Sequence, residues 1–138
     1  MEWMLMPYRR YADFQGRSRR REYWMFLLFY VLVYIALSVA FGSNEAVRTP
    51  TGFGYGSRLV GGAGLVGGLF ALFSFVPSLA LSVRRLHDQD RSGWLMLLAL
   101  IPLLGGFALF VLMCLEGTRG PNRYGPDPKD PSNVDVFR

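Results

Sequence analysis

Three guanidinium groups, two carboxylates and an imidazole fall within the eleven residues Arg84-Arg85-Leu86-His87-Asp88-Gln89-Asp90-Arg91-Ser92-Gly93-Trp94. His87, Asp88 and Asp90 are of types that ligate divalent metals, and a His beside an Asp is a minimal kit for acid–base chemistry on a lipid headgroup. Ligation requires convergence from one face. Here the three sit in what reads as a flexible connection, and the chain contains no second His. A nucleophilic triad is harder still to assemble, because Ser57, Ser82 and Ser92 all lie outside any nucleophile-elbow pattern. Cys114 is the single cysteine, deep in an apolar run that disfavours its thiolate, and one cysteine excludes an internal disulfide or a multi-cysteine metal site. No catalytic residue, metal ligand or cofactor is therefore assigned. The structural expectation is that Arg84 and Arg85 complement the negative end of one helix while Asp90 or Ser92 caps the next.

A second pattern, Gly62-Ala63-Gly64-Leu65-Val66-Gly67, fits the dinucleotide fingerprint G-x-G-x-x-G. That motif needs a preceding strand, a helix start aimed at the phosphate and an acid about twenty residues on. None of these is present. Gly64 and Gly68 instead carry the small-xxx-small spacing that lets two membrane helices approach closely.

The elements that must position these groups are apolar. Among 138 residues, 51% are hydrophobic and only 18% charged, against about 25% charged in typical globular chains. Three uncharged runs, Tyr23–Phe41, Leu59–Val83 and Trp94–Leu115, hold nearly half the chain, and each is long enough to cross a hydrocarbon core of about 30 Å. Too little chain remains to wrap three such helices in protein, so lipid must do it. Tyr23–Phe41 exceeds the apolar core of a cleaved signal peptide, usually about 7 to 15 residues, and reads as a retained span. In the third run Pro102-Leu103-Leu104-Gly105-Gly106 allows either one kinked span or a re-entrant hairpin. Two legs of about ten residues cannot each span, which favours the kinked span. Before the first run, Met4, Tyr8, Tyr11 and Phe14 recur at helical spacing, as in an amphipathic helix lying in the membrane interface. Gly42–Ser57 reads as a polar Gly/Ser/Thr loop, and residues 116–138 as a Pro-rich tail.

The net charge is +5, and 14 of the 15 bases are Arg. Six precede the first run and three lie between the second and third, which by the positive-inside rule makes the N-terminus and that connection cytoplasmic. Three full spans then place the tail outside. A basic excess flanking apolar runs addresses anionic lipid and not nucleic acid.

Three separated motifs, GRSRRREYW at Gly16–Trp24, RRLHDQDRSGW at Arg84–Trp94 and GTRGPNRYGPDP at Gly117–Pro128, resemble the bacterial inner-membrane family known as domain of unknown function 805, the YhaH-like proteins. The resemblance implies a small polytopic inner-membrane protein and carries no catalytic residues. The positions it marks are Gly16, Arg17, Arg20, Glu22, Tyr23 and Trp24; Arg84, Arg85, His87, Asp88 and Trp94; and Asn122, Arg123, Tyr124, Gly125, Pro126 and Asp127.

The expected architecture is all-α: a polytopic membrane bundle of three transmembrane helices plus the interfacial N-terminal helix, one domain over residues 1–138. Arg17, Arg20, Glu22, Arg84, Arg85, His87 and Asp88 are expected to form a polar cluster, or a lipid or partner site, at the cytoplasmic mouth. Glu22 would meet Arg84 or Arg85, and Asp88 would meet Arg17 or Arg20. The tail motif with Asn122, Arg123, Tyr124 and Asp127 joins only if the third run is re-entrant. The leading function is a non-enzymatic scaffold binding anionic lipids, further copies of itself or another membrane protein. A small transporter or channel component is the alternative, weakened by spans without ionisable residues. A headgroup enzyme using His87 and Asp88 is the third reading.

Overall fold

The computed structural model describes residues 2–41, 43–49, 52–58 and 62–130. Residues 59–61, where the second run was expected to begin, and the last eight residues of the tail lie outside them. The elements in order are α1 (Glu2–Arg9), α2 (Arg20–Phe41), strands β1 (Ser43–Thr49) and β2 (Gly52–Arg58), α3 (Gly62–Asp88), a 3-10 helix (Gly93–Leu100) and α4 (Leu104–Cys114). The fold is helical, with one departure. The connection expected to be a loop is an antiparallel hairpin in which Ser43 pairs with Arg58 and Thr49 with Gly52.

At 1.5 Å per residue, the 22 residues of α2 and the 27 of α3 extend about 33 and 40 Å, enough to cross a bilayer. Both overrun the apolar stretches. Helix α2 begins at Arg20, and α3 continues past Val83, so Arg84, Arg85, His87 and Asp88 stand on helical turns and not in a flexible connection. Helix α1 stops at Arg9 and so carries only Met4 and Tyr8 of the expected amphipathic stretch; beyond it the Arg10 guanidinium grips Asp13 (2.8 and 2.6 Å) across a turn.

The chain divides into two compact units, 27–75 and 1–26 with 76–138. In the first, the Tyr34 hydroxyl donates to the Gly67 carbonyl (2.9 Å) and the Tyr30 ring stacks on Phe70 with centroids 5.4 Å apart. In the second, Phe26, Ala80, Leu81, Leu86 and Met113 are buried, with Tyr8 against Phe26 and Trp24 edge-on to Phe110. Large apolar side chains elsewhere are bare: Val39, Leu65, Leu72, Trp94 and Leu103 are each more than two-thirds exposed. Such faces need an apolar surrounding.

The third run does not form one helix. It folds back on itself, the 3-10 helix packing against α4. Pro102 supplies no amide for a continuing helix, Leu103 takes a positive φ of 64°, and Gly105 lies so close to the Leu98 carbonyl that a Cβ would overlap it. Eight residues at about 2.0 Å and eleven at about 1.5 Å make two legs of roughly 16 Å, half a hydrocarbon core. Both outer ends return to the end of α3. Gly93 abuts Val83 and His87, while the Leu112 carbonyl accepts from Gln89 Nε2 (2.5 Å) and the Leu115 carbonyl from Arg85.

Candidate functional site: a buried charge cluster at the end of the second long helix

Arg84, Arg85 and Asp88 occupy the last turns of α3, where spacings of three and four residues put Arg85 and Asp88 on one face. Arg84 reaches Glu22, in the first turn of α2, at 3.5 Å, and both side chains are fully buried. Arg85 pairs with Asp88 on its own helix. Opposite Arg85, Asp88 accepts Arg17 Nε at 3.0 Å. Three buried guanidiniums thus face two buried carboxylates. Ions taken out of water at this cost persist only when paired and hydrogen-bonded.

Arg17 does more than pair. Its Nη1 donates to the Gly120 carbonyl (2.6 Å) and its Nη2 to the Thr118 carbonyl (2.5 Å), so one fork straps the tail to the end of α3. Thr118 returns the contact, its amide (2.8 Å) and hydroxyl (3.1 Å) both donating to the Asp88 carbonyl. Gly117 permits this approach, since a Cβ there would overlap the Asp88 carboxylate.

His87 takes no part in these ion pairs. Its Nδ1 lies 3.3 Å from the Gly16 carbonyl, which only accepts, so the proton of that contact is on Nδ1. Its ring stacks on Tyr124 at 3.8 Å, and its own carbonyl accepts from Asn122 (2.9 Å). Arg123 pairs with Asp90 at 3.1 Å, both well exposed. Asp127 accepts the amides of Gly120 and Lys129, each at 2.8 Å. Burial opposes its ionisation, but those two amides and the cations of Arg17 and Lys129 together outweigh it and hold its carboxyl below the ordinary value. Asp13 is likewise lowered: burial opposes ionisation, and the Arg10 side chain with the Gln15 amide outweighs it.

The three sequence motifs therefore meet at one end of the unit. Arg17, Glu22, Arg84, Arg85 and Asp88 are brought together, and His87 joins through Gly16 and the tail. Arg20 stays outside, exposed beside Glu116 at 3.9 Å. Arg84 and Arg85 serve carboxylates more than the helix end, and Ser92 is the residue that caps, accepting from the Trp94 amide at 3.4 Å. Gly64 and Gly68 belong to the unit 27–75, and nothing surrounds the Cβ position of Gly68. Among the described residues no three His, Cys, Asp or Glu converge on a metal position. Gln89, Gly117 and Thr118 escaped the sequence reading. Only the place of Gly117 and Thr118 in the tail motif signalled them.

The family described as "Protein of unknown function (DUF805)" matches residues 11–126. The chain is 42% identical over 135 residues to the inner membrane protein YhaI of Escherichia coli strain K12, covering 96% of this chain and 100% of the relative. It is 40% identical over 129 residues to the inner membrane protein YhaH of the same strain, covering 94% and 98%. The uncharacterized protein YiiR of that strain shares 27% over 145 residues, covering 86% and 87%. No solved structure matches the chain.

Proposed function

Since the chain belongs to the DUF805 family, whose relatives above include inner membrane proteins, we propose that it is a non-enzymatic inner-membrane scaffold with both ends on the cytoplasmic side. Its N-terminal segment, the end of α3 and the tail form one platform, and its third run dips into the bilayer and returns. The observation that carries this is the strap from Arg17 to Asp88, Thr118 and Gly120, which ties the motif before the first span, the end of the second and the tail together. The bases around the start of α2 and the end of α3 orient that platform inward. Its ionisable groups are spent on one another, which suits a rigid scaffold better than a reacting centre. The exposed Arg9 and Arg21 remain to meet anionic lipid.

A cysteine placed at Ser132 tests the topology: labelling only after the inner membrane is opened is expected, and labelling from the periplasm refutes the returning third run. Replacing His87 by Ala tests the absence of chemistry. A lipid product that depends on this chain and vanishes with His87→Ala refutes the scaffold in favour of a headgroup enzyme. The partner surface is assigned to the glycine face of α3, where Gly68 has open space beside it. Replacing Gly64 and Gly68 by Leu should weaken crosslinking between copies; unchanged crosslinking removes that face from the proposal.

A further inference from the structure

Beside His87 lies a cavity of about 530 Å³, lined by Val83, His87, Ser92, Trp94, Leu97 and Tyr124 among others. This is the size of a small-ligand site, and like one it is mostly apolar with few polar groups. We propose that it seats one anionic glycerophospholipid, with an acyl chain along Val83, Trp94 and Leu97 and the phosphate at Ser92 and Arg91. The proposal rests on the membrane reading above.

The cavity adjoins the first turn of the 3-10 helix, where Trp94 is 79% and Leu97 55% exposed, so it lies beside an exposed apolar surface of the kind that meets lipid. A Trp at the boundary between charged residues and an apolar run marks headgroup depth. The polar end is chemically matched to a phosphate. Ser92 accepts from the Trp94 amide and so keeps its hydroxyl proton to donate. Arg91 immediately precedes Ser92 in the chain and is exposed, and no carboxylate pairs with it among the described residues. Asp90, the nearest acid in sequence, is engaged by Arg123. The local charge therefore favours an anionic headgroup over a zwitterionic one.

The test uses the full chain with Trp3→Phe and Trp24→Phe, so that Trp94 alone fluoresces, reconstituted with brominated phosphatidylglycerol or brominated phosphatidylcholine. Half-quenching should require about fivefold less of the anionic lipid, the weight of one Arg near an anionic surface. Arg91→Gln should abolish that preference, while Arg119→Gln, which removes the same charge at an exposed position of the tail, leaves it. Equal quenching by the two lipids overturns the seat, as does equal loss in both Arg variants, which is surface potential alone. Reversal of quenching by excess inorganic phosphate assigns a free-anion site and overturns the lipid. Recovery of the chain in the aqueous phase without detergent overturns the membrane reading itself.

Discussion

Arg17→Ala removes a buried side chain that joins all three motifs. Its side chain is 2% exposed and Asp88, its ion partner, 4%. Truncation strips Asp88 of one of two guanidiniums and leaves the Thr118 and Gly120 carbonyls without their donor. Removing one member of a buried pair costs about 3–5 kcal/mol. Since 1.36 kcal/mol is about tenfold in equilibrium, the docked tail should open roughly 150- to 5,000-fold more often. Hydrogen exchange reads this directly at the Thr118 amide, which donates to the Asp88 carbonyl in the docked state. Arg17→Lys keeps the charge but not the fork, so protection should fall by an intermediate factor. The reasoning fails if Arg17→Ala leaves the chain folded and Thr118 protection within tenfold of the parent.

Gly117→Ala should loosen the same tail by about 1–3 kcal/mol, because its methyl overlaps the Asp88 carboxylate; an unchanged melting temperature in detergent contradicts the close approach. Exchanging charges as Glu22→Arg with Arg84→Glu should recover yield and monodispersity that each single change destroys, and a double variant no better than the singles denies the pairing. Asp127 has a depressed carboxyl pKa, so its contribution to docking is complete above the ordinary value near 3.8 and is lost as pH falls through the lower folded value. Exchange at the Gly120 amide, corrected for its intrinsic rate, should thus show no loosening from this group between pH 7 and 5. Loosening that Asp127→Asn abolishes in that interval contradicts the sign.

What the sequence disclosed was the charge cluster, and the reason is economy of charge. Glu22, Arg84, Arg85 and Asp88 flank uncharged runs, so the helix ends are the only places they can meet partners, and their mutual pairing follows. The fold-back was less legible. Pro102 and the following glycines marked the break, but hydropathy is the same for one helix of 22 residues and for two half-length legs. The decision lies in Gly105 meeting Leu98, a tertiary contact that leaves no local trace. The hairpin was hidden for a different reason: the glycines of Gly52-Phe53-Gly54-Tyr55-Gly56 read as loop residues, whereas cross-strand pairing holds them in a ladder.

The Arg17 strap also sets an order of events in synthesis. Its carbonyl partner at Thr118 is 101 residues downstream, and at roughly 5–20 residues per second that partner emerges about 5–20 s later. Until Asp88, 71 residues downstream, has emerged, Arg17 is an unpaired cation ahead of the first apolar run, the state in which a base acts as a topology signal. Its fork is completed only when Thr118 and Gly120 arrive. On the topology proposed above, a single guanidinium serves first as an orientation signal and then as a clasp, and a chain truncated before Gly117 would keep the first role and lose the second.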